Sequence, residues 1–402
     1  MNAIRCKQAG AASLVVTLIL FGVMALVAAF ANRNLLFEAR SSLNQVRATQ
    51  AFEAAEAAVE WSTAMMNDPR TIDAQCRATS DAANLSFRER QRAADRAGTA
   101  LRATCVKAAR GWACSCTTDG RAVFAADVSI HAPAFAVAIA ADPAPRAWRV
   151  SAVGCTSLSG ECLPSSARPT DAVAHVQATI ASLPALASSP IAALTARDSI
   201  DTGLAGAGFH NADAGSNGVT LHAGGTVSAG AARFTTAPGA MWESSILEKD
   251  TSLASLTPDG FFQSFFGLSK PLWKQQPGVR TLRCDASCDE ALSAAVVSGA
   301  RMVWIEGDAR ITTDLVLGSR ERPIVIVVGG QLTFEGNVTL HGLAYAQGLV
   351  WTHGGTLRGA AISESNALGH GVMDFVRDAA VLDALHNDLG SVSRLPGSWK
   401  DF

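Results

Sequence analysis

Cysteines are the residues whose type and spacing could do the most chemistry in this chain. One of the nine, Cys6, lies before a long apolar run, and the other eight follow that run. An even number of cysteines in an exported region predicts disulfides. The candidates are Cys76, Cys105, Cys114, Cys116, Cys155, Cys162, Cys284 and Cys288. Short loops favour the pairs Cys155–Cys162 and Cys284–Cys288, and the pairing of the other four stays open.

Metal binding is the alternative use of these cysteines. Cys114-Ser-Cys116 and Cys284-Asp-Ala-Ser-Cys288 are close pairs, but neither has the two-residue spacing of a zinc knuckle. A calcium loop could be sought in residues 211–218, NADAGSNG, which carry oxygen ligands at alternate positions. That stretch has no acidic residue where the twelfth ligand of a calcium loop would fall. We therefore expect no metal site.

Enzyme motifs are missing from the sequence. It contains no GxxxxGK phosphate loop, no HExxH zinc helix and no GxSxG nucleophile elbow. Glu306, Asp308 and Glu335 could serve a glycosidase or lyase, but no spacing marks any two of them as a catalytic pair. Four histidines lie in Gly-rich, turn-like sequence, with no third ligand evident beside them: His222, His341, His353 and His370. We predict that the chain is not an enzyme and uses no cofactor.

The composition excludes some classes of partner. The 402 residues carry a formal charge of −2, so there is no basic footprint, and we predict no nucleic-acid binding. Apolar residues make up 49% of the chain, enough to bury a sizeable core and to exclude general disorder. The length suggests two or three domains.

An apolar run over residues 11–31 is the element around which the chain is organised. Its 21 residues carry no charge, and as a helix they would span the roughly 30 Å hydrocarbon core of a bilayer. Arg5 and Lys7 precede the run, which favours a cytoplasmic N-terminus. The run is longer than the apolar core of a signal peptide and leads directly into a helical pattern.

The helical pattern beyond the apolar run is amphipathic. Apolar residues spaced by three and four predict a helix that stops near Asn67-Asp68-Pro69. The clearest apolar track consists of Ala48, Phe52, Ala55, Val59 and Met66. A single helix therefore begins in the membrane and ends in a domain on its far side.

The N-terminal sequence resembles that of type IV prepilins. A short basic leader ends in Gly10, and the run GAASLVVTLIL, the block AFEAAEAAVEW and the terminal LPGSWKDF resemble PilX-type minor pilins. The resemblance implies that a prepilin peptidase cuts after Gly10 and methylates Ala11. It implies a membrane and filament-packing helix that includes Val15, Leu18, Phe21 and Phe30.

The resemblance also implies a location and partners. The subunit would wait in the inner membrane as a single-pass protein and, after processing, would join an extracellular pilus. Its partners would be major and minor pilins, prepilin peptidase and a large tip adhesin.

Val15 departs from the common pilin pattern. Major pilins carry a glutamate at this fifth mature position, where it neutralises the N-terminal amine of a neighbouring subunit. A chain without that carboxylate should be a poor repeating unit, which favours the pilus tip or an initiation complex. Two alternatives stay open: a K-type pseudopilin of type II secretion, and a membrane-anchored periplasmic β-helix protein that binds or cleaves carbohydrate.

The rest of the chain predicts an α+β fold with two outer parts. Residues 67–182 carry strand patterns over 122–130, 148–153 and 173–180, typical of a pilin-like helix packed on an antiparallel sheet. Residues 183–196 contain two prolines among small residues and are interpreted as a linker.

Residues 197–402 are predicted to form a Gly-rich β-solenoid or β-helix-like head. Short β-runs repeat there with Gly-Gly at 224–225, 329–330 and 354–355, which suggests stacked turns of 20-odd residues. A β-sandwich with Gly-rich turns is the alternative. Phe262, Phe265 and Phe266 are expected to pack together on a helix, and Trp399 and Phe402 to seal the end of the solenoid.

Overall fold

The computed structural model describes residues 11–81, 83–117, 122–124, 128–164 and 172–402. The α-helices found there are α1 (Ala11–Asn67), α2 (Phe87–Arg96), α3 (Thr251–Ala254), α4 (Pro258–Phe266), α5 (Lys270–Lys274), α6 (Asp289–Val297) and α7 (Ala379–Asn387). The strands are β1 (Leu101–Ala108), β2 (Gly111–Ser115), β3 (Ala134–Ala141), β4 (Ala147–Cys155), β5 (Val173–Pro184), β6 (Leu194–Ala196), β7 (Ile200–Asp201), β8 (Gly208–His210), β9 (Leu221–Ala223), β10 (Val227–Ser228), β11 (Arg233–Thr235), β12 (Ile246–Leu247), β13 (Val279–Arg283), β14 (Met302–Glu306), β15 (Ala309–Ile311), β16 (Leu315–Leu317), β17 (Ile324–Phe334), β18 (Val338–Trp351), β19 (Gly355–Ser363), β20 (Ala367–Gly369), β21 (Asp374–Arg377), β22 (Gly390–Arg394) and β23 (Lys400–Asp401).

An antiparallel sheet with the order β2-β1-β3-β4-β5-β22 supports the second half of α1. The strands alternate buried and exposed residues, as a sheet with one covered face requires. The helix lies on that face and shares its core, with Ala55, Val59 and Met66 against Phe135 and Val150. Strands predicted over 148–153 and 173–180 fall within β4 and β5. The strand predicted over 122–130 is wrong for the residues described there, which precede β3 as irregular backbone.

The second part of the chain is a three-sided β-solenoid in which every strand pairing is parallel among the described residues. The first side runs through β13, β14 and the first half of β17. The second side contains β15, β20, β7 and β10, and the third contains β16, β21, β8 and β11. The long strands β17 and β19 each cross one corner, and β18 crosses two and so contributes to all three sides. The fold is therefore α+β, with a long N-terminal apolar helix followed by strand-rich structure.

The turns of the solenoid do not stack in chain order. Residues 361–363 of β19 pair with β6, residues 194–196, and β6 pairs in turn with β9. The turns that begin with β6 therefore stack on the last turn of the group that begins with β13. The chain enters the solenoid in the middle, builds outward to β12, and crosses back through α3, α4 and α5 to start at the opposite end.

The solenoid turns also differ in length. Met302 pairs with Val325, whereas Ile324 pairs with Gly342 after a shorter turn and Leu194 pairs with Leu221 after a longer one. The Gly-Gly spacing does not mark one turn, because Gly330 precedes second-side residues and Gly355 begins a third-side segment.

The first side of the solenoid is buried on both faces. Within β14 and β17, alternate residues such as Val303 and Ile326 point into the solenoid, while Trp304 and Val327 point outward. The outward residues are covered by α4, α5 and α7, which explains why IVIVV has no polar alternation. Phe261, Phe262 and Phe266 of α4 are buried in this outer layer, and Phe265 is partly buried beside them.

The chain returns to the antiparallel sheet after the solenoid. β22 and β23 both pair antiparallel with β5, so the solenoid is an insertion between β5 and β22. This differs from the predicted boundaries, which give residues 197–402 to the head and leave 183–196 as a linker. The reason is a long-range strand pairing that has no local signal: β5 extends to Pro184, and β6 already belongs to the solenoid.

The predicted seal at the C-terminus is wrong. Trp399 packs against the core of the antiparallel sheet, and Phe402 is exposed. The end of the solenoid at β13 is instead covered by α6, whose Leu292 belongs to the hydrophobic core inside the solenoid. At the other end Trp242 stacks on Phe234 with 5.1 Å between the ring centroids.

Four disulfides join the eight downstream cysteines. The structure pairs Cys155 with Cys162 and Cys284 with Cys288, as the loop lengths favour. Of the four cysteines that were left open, Cys105 and Cys114 face each other across β1 and β2, and Cys76 joins Cys116. The close pairs that suggested zinc are therefore used in cross-links.

Candidate membrane and filament-packing helix

Helix α1 is 57 residues long and has two halves with different surroundings. From Ser13 to Gln50, every side chain that is described is exposed. From Ala51 onward, one face is buried against the antiparallel sheet. The helix is also the one segment of the described chain that is long and apolar enough to cross a membrane.

The free half of α1 exposes large apolar side chains on all sides. Val15, Leu18, Phe21 and Phe30 are 54%, 62%, 73% and 61% exposed. A helix that is apolar all round must be surrounded by lipid or by other apolar helices. Its first charged residue after the apolar run is Arg33. Gly10 lies outside the described residues, and Ala11 is the first residue of the helix.

The docked half of α1 is held by a close backbone approach. A Cβ atom at Gly154 of β4 would lie 1.9 Å from the carbonyl oxygen of Ala51, so a side chain larger than hydrogen has no room there. Sequence reasoning missed this contact; its signal is a glycine inside a strand of otherwise alternating residues. Of the predicted apolar track, Ala48 is exposed, Phe52 is partly buried, and Ala55, Val59 and Met66 are buried.

The carboxylates considered for catalysis each serve a separate structural contact. Glu306 contacts Lys274 and accepts a hydrogen bond from the Trp304 indole, and these contacts hold the pKa of Glu306 below its usual range. Asp308 Oδ1 accepts from the backbone N–H of Gln331 at 2.8 Å. Glu335 forms a bidentate pair with Arg310. Each of the three carboxylates is thus engaged in a contact within the solenoid.

The oxygen-rich stretch at 211–218 is a turn held by its own hydrogen bonds. The Asn211 amide donates to the Val219 carbonyl at 2.6 Å, and Asp213 accepts from the Gly215 N–H and pairs with Arg377. Over the described residues, no three His, Cys, Asp or Glu side chains come together in an arrangement that could hold a metal ion.

Three of the histidines considered as metal ligands lie in separate local environments. His222 lies 2.8 Å from Asp250, and His353 lies 3.1 Å from the Thr352 hydroxyl. His341 Nδ1 is buried and has no hydrogen-bond partner in the part of the chain that the structure describes.

Comparison with known proteins bears on the two halves of α1. The family model for the PilX N-terminal region matches residues 9–60. This chain carries the N-terminal region of a PilX-type pilin. The match covers the free half of α1 and the start of the docked half, and it ends before the sheet and the solenoid. The protein is thus a type IV pilin-like subunit with an apolar N-terminal helix of membrane-anchoring character.

The crystal structure of the competence-associated pilin ComZ from Thermus thermophilus is 13% identical, and the alignment covers 89% of this chain and 97% of ComZ. The TM-score is 0.24, which is too low to establish a shared fold. No curated protein matches the chain.

Proposed function

We propose that this protein is a minor pilin that prepilin peptidase cuts between Gly10 and Ala11, and that it occupies the tip or the initiation complex of a type IV pilus. Before assembly it would be a single-pass inner-membrane protein, and after assembly part of an extracellular filament. Its contacts would be with major and minor pilins, and a large tip adhesin is a further candidate partner.

The observation that carries this proposal is the division of α1 into a free apolar half and a docked half. The helix is continuous across the division, so the free half projects from a folded domain as a rigid rod. Such a rod can hold the subunit in a bilayer and can pack against the equivalent helices of other subunits once it leaves the membrane.

Two features favour an end position over the shaft. Val15 offers no carboxylate to a neighbouring subunit's amine, and a solenoid inserted between β5 and β22 makes the head much larger than the sheet alone. A head of this size at every subunit would crowd a repeating shaft, whereas a tip position has free space around it.

Mass spectrometry of the protein from cells tests the processing step. We expect a mature chain that begins at methylated Ala11, and we expect Gly10→Val to block the cut. Gly22→Ala is the control, because Gly22 lies inside α1, away from the cut, and a Cβ atom added there would have nothing within 4 Å among the described residues. An intact Met1 in the wild-type protein would contradict the proposal.

Immunogold labelling of sheared pili tests the position. We expect label at filament ends, and we expect Val15→Glu to increase the amount of the protein recovered along the shaft. Leu18→Glu, which places the carboxylate about one turn further along the helix, should not increase it. Wild-type label along the whole shaft would show that the end position is wrong.

A further inference from the structure

Helix α2 braces the point where the solenoid leaves and rejoins the antiparallel sheet. Arg88 donates to the Ser182 hydroxyl at 2.6 Å, near the end of β5, and to the carbonyl of Gly390, where β22 begins. Arg92 donates to the carbonyl of Asp388 and lies 3.4 Å from its carboxylate. Two arginines of α2 therefore hold both ends of the insertion.

Two arginines of the solenoid face the same place. Arg301 directly precedes β14 and Arg322 lies just before β17, so they come from neighbouring turns of the solenoid. Together with Arg88 and Arg92 they line a cavity of about 50 Å³ between the sheet and the solenoid. One water needs about 10–15 Å³ of such volume. The cavity can therefore hold about four waters or the five heavy atoms of a tetrahedral oxyanion.

The carboxylates at the cavity do not balance the four guanidinium groups. Glu89 Oε2 accepts from the backbone N–H and hydroxyl of Ser86, and its other oxygen is 3.6 Å from Arg322. Asp388 pairs with Arg92. Asp68 also lines the cavity, but Arg70 already binds it through both oxygens. The cluster therefore carries an excess of about two positive charges.

Two buried N–H groups of the cluster have no hydrogen-bond acceptor among the described residues. They are Arg88 Nε and Arg301 Nη2, and both are shielded from solvent. Burial, together with neighbouring guanidinium groups, lowers the pKa of Arg88 to about 9 and that of Arg301 to about 10, so both are still charged at neutral pH. A buried N–H group without an acceptor is costly, and guanidinium groups match oxyanions in geometry and charge.

We propose that this cavity binds a tetrahedral inorganic oxyanion, phosphate or sulfate, which joins the guanidinium groups of α2 to those of the solenoid. The anion supplies acceptors to Arg88 and Arg301 and fixes the head against the sheet at its point of insertion. Ordered water alone would fill the same space without neutralising the charge.

Thermal unfolding of the detergent-solubilised full chain tests this site with sodium phosphate, sulfate and chloride at equal ionic strength. We expect phosphate or sulfate at ten times its Kd to raise the unfolding midpoint by about 2 °C above chloride. Phosphate and sulfate added in separate titrations identify which of the two binds more tightly.

Variants separate binding from general salt effects. Arg301→Met should abolish the rise, and Arg322→Met, whose side chain is 45% exposed, should weaken it while disturbing the fold less. Arg358→Met removes an exposed arginine of β19 as the charge-matched control and should keep the full rise. An equal midpoint in all three salts, or an equal response in Arg322→Met and Arg358→Met, would overturn the proposal and leave water as the occupant.

Discussion

Asn67 and Val392 exchange two hydrogen bonds, although they lie near opposite ends of the chain. The Asn67 amide donates to the Val392 carbonyl at 2.7 Å, and the Val392 N–H donates to the Asn67 Oδ1 at 2.8 Å. Asn67 ends α1 and Val392 lies in β22. The side-chain amide thus pairs with β22 as a neighbouring strand would, and it ties the pilin helix to the strand that returns from the solenoid.

Replacing Asn67 with alanine should loosen β22 selectively. The change leaves the N–H and the carbonyl of a buried residue without partners, which costs about 1–3 kcal/mol for each group left unsatisfied. Hydrogen exchange in the full chain should show faster exchange over residues 390–394. Asn44→Ala, on the exposed part of α1, is the control. Unchanged protection of 390–394 would mean that the pair does not hold the strand.

Replacing Gly154 with alanine should separate α1 from the sheet. The new methyl group would lie 1.9 Å from the Ala51 carbonyl oxygen and 2.4 Å from the Ala55 nitrogen, both of them backbone atoms that cannot rotate away. We expect loss of protease resistance over residues 51–67. Gly348→Ala is the matched control, because its nearest neighbour would be a side-chain oxygen at 3.6 Å. Equal resistance of the two variants would contradict this account of the docking.

The sequence predicts what local patterns determine. The continuous helix and its end at Asn67 follow from apolar periodicity and the Asn-Asp-Pro stop, and the Gly-rich β-runs indicate a solenoid. The stacking order does not follow, because β19 pairs with β6, a strand that lies far earlier in the chain. The turn lengths also vary, as the pairs Val338–Gly355 and Leu194–Leu221 show, so the recurrence of Gly-Gly does not give the register of the turns.

The N-terminal cleavage motif can be recognised in the sequence, whereas the arginine-lined cavity cannot. Gly10, Ala11 and Val15 belong to one local motif and can be selected from the sequence. Arg88 and Arg301 lie far apart in the chain, and the fold alone brings them to one cavity. The pairing of β22 with β5 is equally unpredictable, because the sequence GSVSR contains no pattern that indicates its partner strand.

Removing the Cys76–Cys116 disulfide should destabilise the protein more than removing Cys284–Cys288. The two bonds close loops of 40 and 4 residues, and chain entropy predicts losses of about 4 and about 2 kcal/mol. Urea unfolding of the two double Cys→Ser variants measures the difference. Equal midpoints would show that loop length does not determine the contribution of these cross-links.

Acid should remove a stabilising contribution from Asp250. Hydrogen bonds from the Ser252 hydroxyl and the His222 ring lower the pKa of Asp250 to about 2, from 3.8 in the unfolded chain. The ionised carboxylate therefore stabilises the fold above about pH 4, and this contribution is lost as the pH falls toward 2. We expect wild type to exceed Asp250→Asn by about 1 kcal/mol at pH 5, after allowance for solvent screening.

The measurement for Asp250 is urea unfolding between pH 5 and pH 2. Asparagine still caps α3, so the difference between wild type and variant reports the charge and not the cap. The difference should shrink steadily toward pH 2. Asp285→Asn, at an exposed position, is the control. A difference that is the same at pH 5 and pH 2 would rule out the ionised carboxylate as its source.

Lys270 and Glu364 form an ion pair, and replacing the lysine should reduce the free energy of unfolding more than replacing the glutamate. Glu364 is 6% exposed in its side chain and Lys270 is 26% exposed, and the Tyr345 hydroxyl donates to the same carboxylate at 2.6 Å. Burial, with the hydrogen bond to Glu364, raises the pKa of Tyr345, so it stays a donor. Lys270→Met leaves a buried carboxylate without its cation and should cost about 3–5 kcal/mol.

Glu364→Gln should cost less, about 1–2 kcal/mol, because Gln still accepts from Tyr345 and the lysine can reach water. The double variant should lie closer to Glu364→Gln than to Lys270→Met, since it leaves no buried charge. Urea unfolding followed by the fluorescence of Trp273 and Trp304 in the covered layer measures all three. A larger loss in Glu364→Gln than in Lys270→Met would show that the buried carboxylate does not depend on the lysine for its charge compensation.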